Sequence, residues 1–159
     1  MNKLLIAIIA VLVVICGIGS FNQIRNWQKD DENKNIVTNF FVEGYENKNY
    51  DSVMTYLSDD YVDHSPANAR GNQQAVDILK LVESQYSDMS VKMLDILSEG
   101  DLVSVRVLID AVHSGESMGI PATGKHISFE ALEIFRINDG KIVESWGYWP
   151  DSEIESQLK

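Results

Sequence analysis

The chain has 159 residues, room for one domain and a short appendage, and carries 13 basic against 24 acidic side chains. Four of those charges, Lys3, Arg25, Lys29 and Asp30, precede residue 31; without them 10 basic and 23 acidic residues remain, a net charge of −13 on residues 31–159. Such a domain repels phosphate backbones and anionic lipid, which argues against a nucleic-acid partner, and the single cysteine, Cys16, excludes an intramolecular disulfide.

Residues 4–18 form an unbroken apolar run after Lys3, followed by Gly19, Ser20 and a polar stretch. As a helix such a run rises about 22 Å, short against a hydrocarbon core of roughly 30 Å, and Gly19 to Phe21 bring it near the lower limit for a span. Two readings of residues 1–21 stand side by side. A cleaved signal peptide fits the basic start and the small residues Gly17, Gly19 and Ser20; an uncleaved anchor fits the length of the run and an interfacial Trp27. The expected location is accordingly membrane-anchored with the domain outside the cytoplasm, or secreted or periplasmic if the leader is cleaved. Lipidation at Cys16 is disfavoured by the bulky Ile15 before it.

Residues 22–31 read as a polar linker and residues 32–159 as the domain. Ile36, Val37, Phe40, Phe41, Gly44 and Tyr45 recur at helical spacing. A second short helix follows, with Asp51 or Ser52 near its start. Ser58-Asp59-Asp60 breaks it, and residues 61–66 read as a short extended segment, because Pro66 disfavours helix at Ser65. Gly71 opens a third helix bearing Ala75, Val76, Ile78, Leu79 and Val82. Beyond Asp88 the signals are β: residues 89–97, 102–113, 126–137 and 142–149 are four strands, with tight turns at Glu99-Gly100-Asp101 and Asn138-Asp139-Gly140. Helices followed by an antiparallel meander predict an α+β domain, a curved sheet closed by helices into a cone with an apolar interior.

Strand parity selects candidate residues inside that cone. Ile127, Phe129, Ala131, Glu133, Phe135 and Ile137 share one face of their strand, a lone carboxylate in an apolar row. An unpaired buried carboxylate costs several kcal/mol, so Glu133 is expected to be paired, protonated or facing a polar cavity. The alternative is a bulge or edge that turns it to solvent. Val103 to Ala111 form a second apolar row that ends in His113, either a rim residue or a ligand contact. His64 lies between Asp63 and Ser65; a His64-inward, Asp63-outward arrangement and a purely structural corner both fit. In Trp146-Gly147-Tyr148-Trp149, alternation sets Trp146 and Tyr148 on one side and Gly147 and Trp149 on the other. The rings are either core filling or pocket walls. No metal-ligand spacing, phosphate-binding loop, dinucleotide fingerprint or nucleophile elbow is present.

Several ordered segments together resemble one known family: Asn49-Tyr50-Asp51, Tyr61-Val62-Asp63-His64-Ser65-Pro66, Gly71, Glu99-Gly100-Asp101, His113-Ser114-Gly115, Met118-Gly119-Ile120-Pro121-Ala122-Thr123-Gly124, and Asp139-Gly140-Lys141-Ile142-Val143-Glu144-Ser145-Trp146. They are similar to the SnoaL-like polyketide cyclases, of nuclear transport factor 2-like fold, across residues 32–158. The resemblance implies a cone-shaped α+β barrel, a homodimer formed through the sheet, a small, largely apolar ligand and cofactor-independent acid–base chemistry of the aldol-cyclase type. It implies Glu133 and His64 as catalytic candidates, with His113, Trp146, Trp149, Phe129, Tyr45 and Met118 as ligand-binding candidates and no metal. The chain departs from the cyclase pattern where an Asp directly after the tryptophan is replaced by Gly147, and a second Asp position is Pro150, with Asp151 displaced by one. Glu133 falls where relatives often carry His or Asp. The competing expectation is a non-catalytic dimerisation or scaffold module of the cell envelope.

Overall fold

The computed structural model describes residues 23–159, so the calls on residues 1–21 lie outside the described residues. The first helix, α1, runs through residues 23–41 and continues as a wider turn over Val42–Glu46. The polar stretch expected as a linker is exposed but helical from residue 23, an extension of α1. Farther along, Asn33, Val37, Phe40, Phe41 and Tyr45 turn one buried stripe toward the sheet. The Asn33 side chain donates to the Gly100 carbonyl at 3.1 Å and ties the helix to a turn of the sheet.

Helix α2 spans Tyr50–Tyr56, and its cap is Asn49, whose side chain accepts from the Ser52 N–H at 3.3 Å. Strand β1, Leu57–Asp63, starts at the point where a break was expected. Its polar residues are tolerated because it is an edge strand with one open side. Helix α3 covers Asn72–Gln85 and leads directly into β2, Tyr86–Glu99. Gly71 precedes α3 with φ of 84°, a conformation that a side chain strains to adopt, and the Asp59 carbonyl stands 3.0 Å from where its Cβ would lie.

Strands β3 (Leu102–His113), β4 (His126–Asn138) and β5 (Lys141–Tyr148) complete the meander, and α4 (Asp151–Leu158) closes the chain. The sheet order is β1-β5-β4-β3-β2, with β1 parallel to β5 and the other neighbours antiparallel. Among the described residues the meander has the four strands expected, β1 adds a fifth strand to the sheet by pairing parallel with β5, and β2 extends three residues earlier than its apolar pattern, because it pairs with β3 to the end. Helix α4 was not foreseen. It carries two buried side chains, Ile154 and Leu158, too few for a readable stripe, and is fastened where the Gln157 amide exchanges two 2.9 Å bonds with the Ser128 backbone.

One face of the sheet carries Val103, Val105, Val107, Ile109, Ala111, Ile127, Phe129, Ala131 and Phe135, all buried against the helices. Burial of such a layer at ~25 cal/mol per Å² of apolar surface is the main term holding helices to sheet. The opposite face leaves Leu97, Leu102, Leu132, Ile134 and Tyr148 exposed. Among the described residues, no helix is long and apolar enough to cross a membrane.

Candidate active site

The cone is open rather than filled. A cavity of about 460 Å³ lies between α1, β1, α3, β4 and β5, within the ~300–1,000 Å³ typical of small-molecule sites. Its apolar wall comes from Phe40, Ala75, Ile78, Leu79 and Val82; its polar groups are Tyr45, Tyr61, Asp63 and Glu133 inside, with His64, Ser65, Tyr148 and Asp151 among the remainder. Among the described residues, no lysine or arginine borders it.

Glu133 stands on this wall as strand parity predicts. It pairs with Val105 of β3 on one side and Gly147 of β5 on the other. It is half-buried and lines the cavity. Burial raises its pKa to about 8; the Ser145 hydroxyl pulls the other way by hydrogen bonding, and the negative charge of Asp63 adds to the rise. At neutral pH the acid is therefore predominantly protonated. Tyr61 lies nearby, its hydroxyl 2.7 Å from Ser145 Oγ. Burial, then Glu133, raises Tyr61 above the usual phenol range, with Ser145 opposing, and burial followed by Glu133, Tyr61 and Asp63 does the same to Tyr45. Both phenols are thus hydrogen-bond donors rather than bases.

The alternation at β1 is the reverse of the His64-inward arrangement. Asp63 is buried, in the same parity as Tyr61, while His64 turns out to the cavity's edge. The Ser65 N–H and hydroxyl donate to the two Asp63 oxygens at 2.7 and 2.8 Å. His64 Nε2 is 2.9 Å from Glu144, and the imidazole stacks on Trp146 with centroids 4.8 Å apart and planes 4° from parallel. Arg136 covers the Trp146 ring at 5.7 Å and reaches both Glu144 and Asp101. His64 and Trp146 are thus parts of an ionic and aromatic cluster on the outer side of β5 that reaches the cavity.

Trp149 is the inner wall. It packs against Tyr45 and Phe129, at 6.0 and 5.8 Å between ring centroids. Its indole also explains Gly147. A Cβ there would lie 3.0 Å from Trp149 Nε1, 3.3 Å from Cδ1 and 3.5 Å from the Glu133 carboxyl carbon. The room that a side chain after Trp146 would occupy is already taken by Trp149.

The structure brings Glu133, His64, Trp146, Trp149 and Tyr45 to the cavity. It does not bring His113, Phe129 or Met118. His113 is fully buried beyond the cavity wall, and its Nδ1 accepts from the Thr123 N–H at 3.3 Å and lies 3.0 Å from Thr123 Oγ1, so it straps down the loop after β3. Phe129 belongs to the core and supports Trp149 from behind. Met118 is 45% exposed in that same loop, outside the cavity lining. Sequence reasoning missed Tyr61, Asp63 and Ser145. Period two from Tyr61 sets Tyr61 and Asp63 on one side of β1, and that side is the buried one. Among the described residues, no three His, Cys, Asp or Glu side chains gather in a metal-holding arrangement.

Comparison with known proteins agrees with this geometry. The chain is 28% identical over 116 residues to aklanonic acid methyl ester cyclase DnrD of Streptomyces peucetius, covering 69% of this chain and 79% of that protein. Among solved structures it is similar to AclR of Streptomyces galilaeus, with a TM-score of 0.73, 25% identity and coverage of 81% and 96% of the two chains. IdmH of Streptomyces antibioticus shares the fold, with a TM-score of 0.72, 24% identity and coverage of 79% and 97%. The model of the SnoaL-like polyketide cyclases matches residues 35–158, from within α1 through the whole sheet to α4, and the chain belongs to that family.

Proposed function

We propose that the cone binds a small, largely apolar, uncharged molecule and moves a proton on it without a cofactor, in a cyclase- or isomerase-type reaction. The observation that carries this reading is Glu133, a carboxyl on the wall of an open cavity that holds its proton to about pH 8. Such a group donates a proton or a hydrogen bond to a carbonyl oxygen at neutral pH. The absence of lysine and arginine from the lining disfavours a free carboxylate or phosphate, which would meet Asp63 with no compensating charge. An open cone also favours ligand chemistry over a scaffold whose interior is filled by its own side chains.

The first substrate to try is a neutral aromatic keto ester, of which aklanonic acid methyl ester, named for the relative, is one. Ring closure by intramolecular aldol addition leaves the mass unchanged and alters absorbance and retention. Glu133→Gln is expected to lose turnover by ~10²-fold or more while binding persists; a variant that turns over at the wild-type rate removes Glu133 from the reaction. The exposed apolar face of the sheet supports a homodimer, and the apolar run of residues 4–18 supports an anchored or exported domain. The mass of the mature protein from membrane and soluble fractions tests the latter: a full-length, membrane-bound chain supports the anchor, a shortened chain the cleaved leader.

A further inference from the structure

Resting on that reading of the cavity, we propose that Asp63 is the proton acceptor, taking a proton from the carbon next to a substrate carbonyl, while Glu133 donates to the carbonyl oxygen. The argument begins with what each lining group has left to offer. Glu133 carries its proton at neutral pH and cannot also remove one. The Tyr45 and Tyr61 phenols keep theirs, and Tyr61 is engaged with Ser145. His64 is committed to Glu144 and stacked on Trp146 at the outer side. Asp151 is exposed at the start of α4, so Asp63 is the remaining acceptor inside the cone, and the two Ser65 donors hold its carboxylate in one orientation.

Topology sets the two acids on either side of one strand. Asp63 pairs in register with Ser145 of β5, and Glu133 with Gly147 of the same strand. Gly147 contributes no side chain between them, and the Trp149 indole stands over that position. A flat ketone lying along β5 therefore has a carboxylate toward β1, a carboxylic acid toward β4 and an aromatic wall at Trp149. The site has acquired a base from β1 in place of the missing aspartate after Trp146.

The step balances without a further reactant. The carbon–hydrogen bond breaks, its proton goes to an Asp63 oxygen, and its electron pair becomes the double bond of an enol whose oxygen takes the Glu133 hydrogen bond or proton. The enol carbon then attacks a second carbonyl; as the first C=O re-forms, its oxygen gives any proton it took back to Glu133, and the proton on Asp63 passes to the new alkoxide, or in an isomerisation to another carbon of the same system. Glu133 faces Asp63 and Tyr61 from β1 and Tyr45 from α1, so the pH profile reads this group of acids as a unit.

The test uses 2-tetralone, a neutral ketone with acidic α-protons, in deuterated buffer. Proton exchange is followed by NMR, and binding by quenching of tryptophan fluorescence. Wild-type protein is expected to exchange the bound probe faster than buffer, with a rate that falls off near pH 8 as Glu133 loses its proton. Asp63→Asn is expected to lose exchange by ~10²–10⁴-fold while still binding. Glu133→Gln, which keeps an N–H donor for the carbonyl, loses less and no longer shows the alkaline fall-off. Ser65→Ala, which removes one of the two donors that orient the Asp63 carboxylate, retains the fold and is expected to slow exchange several-fold with binding unchanged, which keeps the proposal testable if Asp63→Asn does not fold. Exchange that survives in Asp63→Asn, or exchange at the wild-type rate in Ser65→Ala, overturns the role of Asp63 and leaves the catalytic cone intact. Wild-type protein that binds the ketone without exchanging it overturns both.

Discussion

Replacing Glu133 with glutamine should change how stability responds to pH, in a direction opposite to that of most carboxylates. The folded protein holds the Glu133 proton to about pH 8, against an ordinary value of 4.5. Below 4.5 both folded and unfolded chains are protonated at this site and the contribution is fully present. Between 4.5 and about 8 the native state binds one proton that the unfolded chain has released, so stability falls as pH rises, by about 1.4 kcal/mol per pH unit. Above that range both states are ionised and the loss stops, at about 5 kcal/mol in total. This is an upper bound, because the open cavity lets water solvate the charged form. It is nonetheless comparable with the ~5–15 kcal/mol that holds a domain of this size together. Glutamine mimics the protonated acid at every pH. Urea unfolding of wild type and Glu133→Gln at intervals from pH 5 to 9 should therefore show near-equal stabilities at the acid end and a variant that is progressively the more stable above pH 6. Subtracting the two curves cancels the other titrating groups. A difference that stays constant across the range, or that favours the wild type as pH rises, would refute the account of Glu133 as a carboxyl kept neutral by burial.

Two further outcomes follow from the packing around the site and the outer face of the sheet. Gly147→Asp, which restores the residue type expected after Trp146, should destabilise the fold by ~1–3 kcal/mol by displacing the Trp149 indole, and should weaken ligand binding rather than create cyclase activity; thermal melting and tryptophan emission check it, and an unchanged Trp149 signal with enhanced turnover would contradict it. On the exposed face, Leu132→Lys with Ile134→Lys should convert the proposed homodimer to monomer in light scattering while leaving ketone binding in place, because both side chains point away from the cavity; a wild-type monomer, or a dimer mass unaffected by the pair, would exclude that face as the contact.

Much of this site was legible because strand parity is a local rule. Glu133 stands in an apolar row of β4, and the only assumption needed to turn it inward was an alternation that the strand obeys from Ile127 to Ile137. Tyr45 and the two tryptophans followed from apolar spacing in the same way. Parity does not, however, say how far along a strand the cavity reaches. His113 ends an apolar row and is buried, yet it meets Thr123 rather than the cavity, because the loop after β3 folds back over that end of the sheet. Phe129 shares the face of Glu133 but is covered by Trp149, a residue from beyond β5. At β1 the polar run Ser58 to Asp60 hides a strand on the sheet's edge, and with no apolar row to mark its buried side the sequence leaves open whether His64 faces inward or stands at a structural corner; pairing with β5 turns Asp63 inward instead.

The sequence by itself determined the elements of the cone, their order, the family and the lone carboxylate within the apolar row, since periodicity and turn chemistry act within a few residues of each other. Only the tertiary structure decided which acid accompanies Glu133. That choice depends on β1 crossing to lie parallel beside β5, which sets Asp63 opposite Ser145, 82 positions away in the chain. It also decided what the glycine after Trp146 means. Gly147 is not simply a lost acid; its missing side chain makes room for the Trp149 indole next to Glu133, a contact between a strand and the turn that follows it that no spacing rule contains.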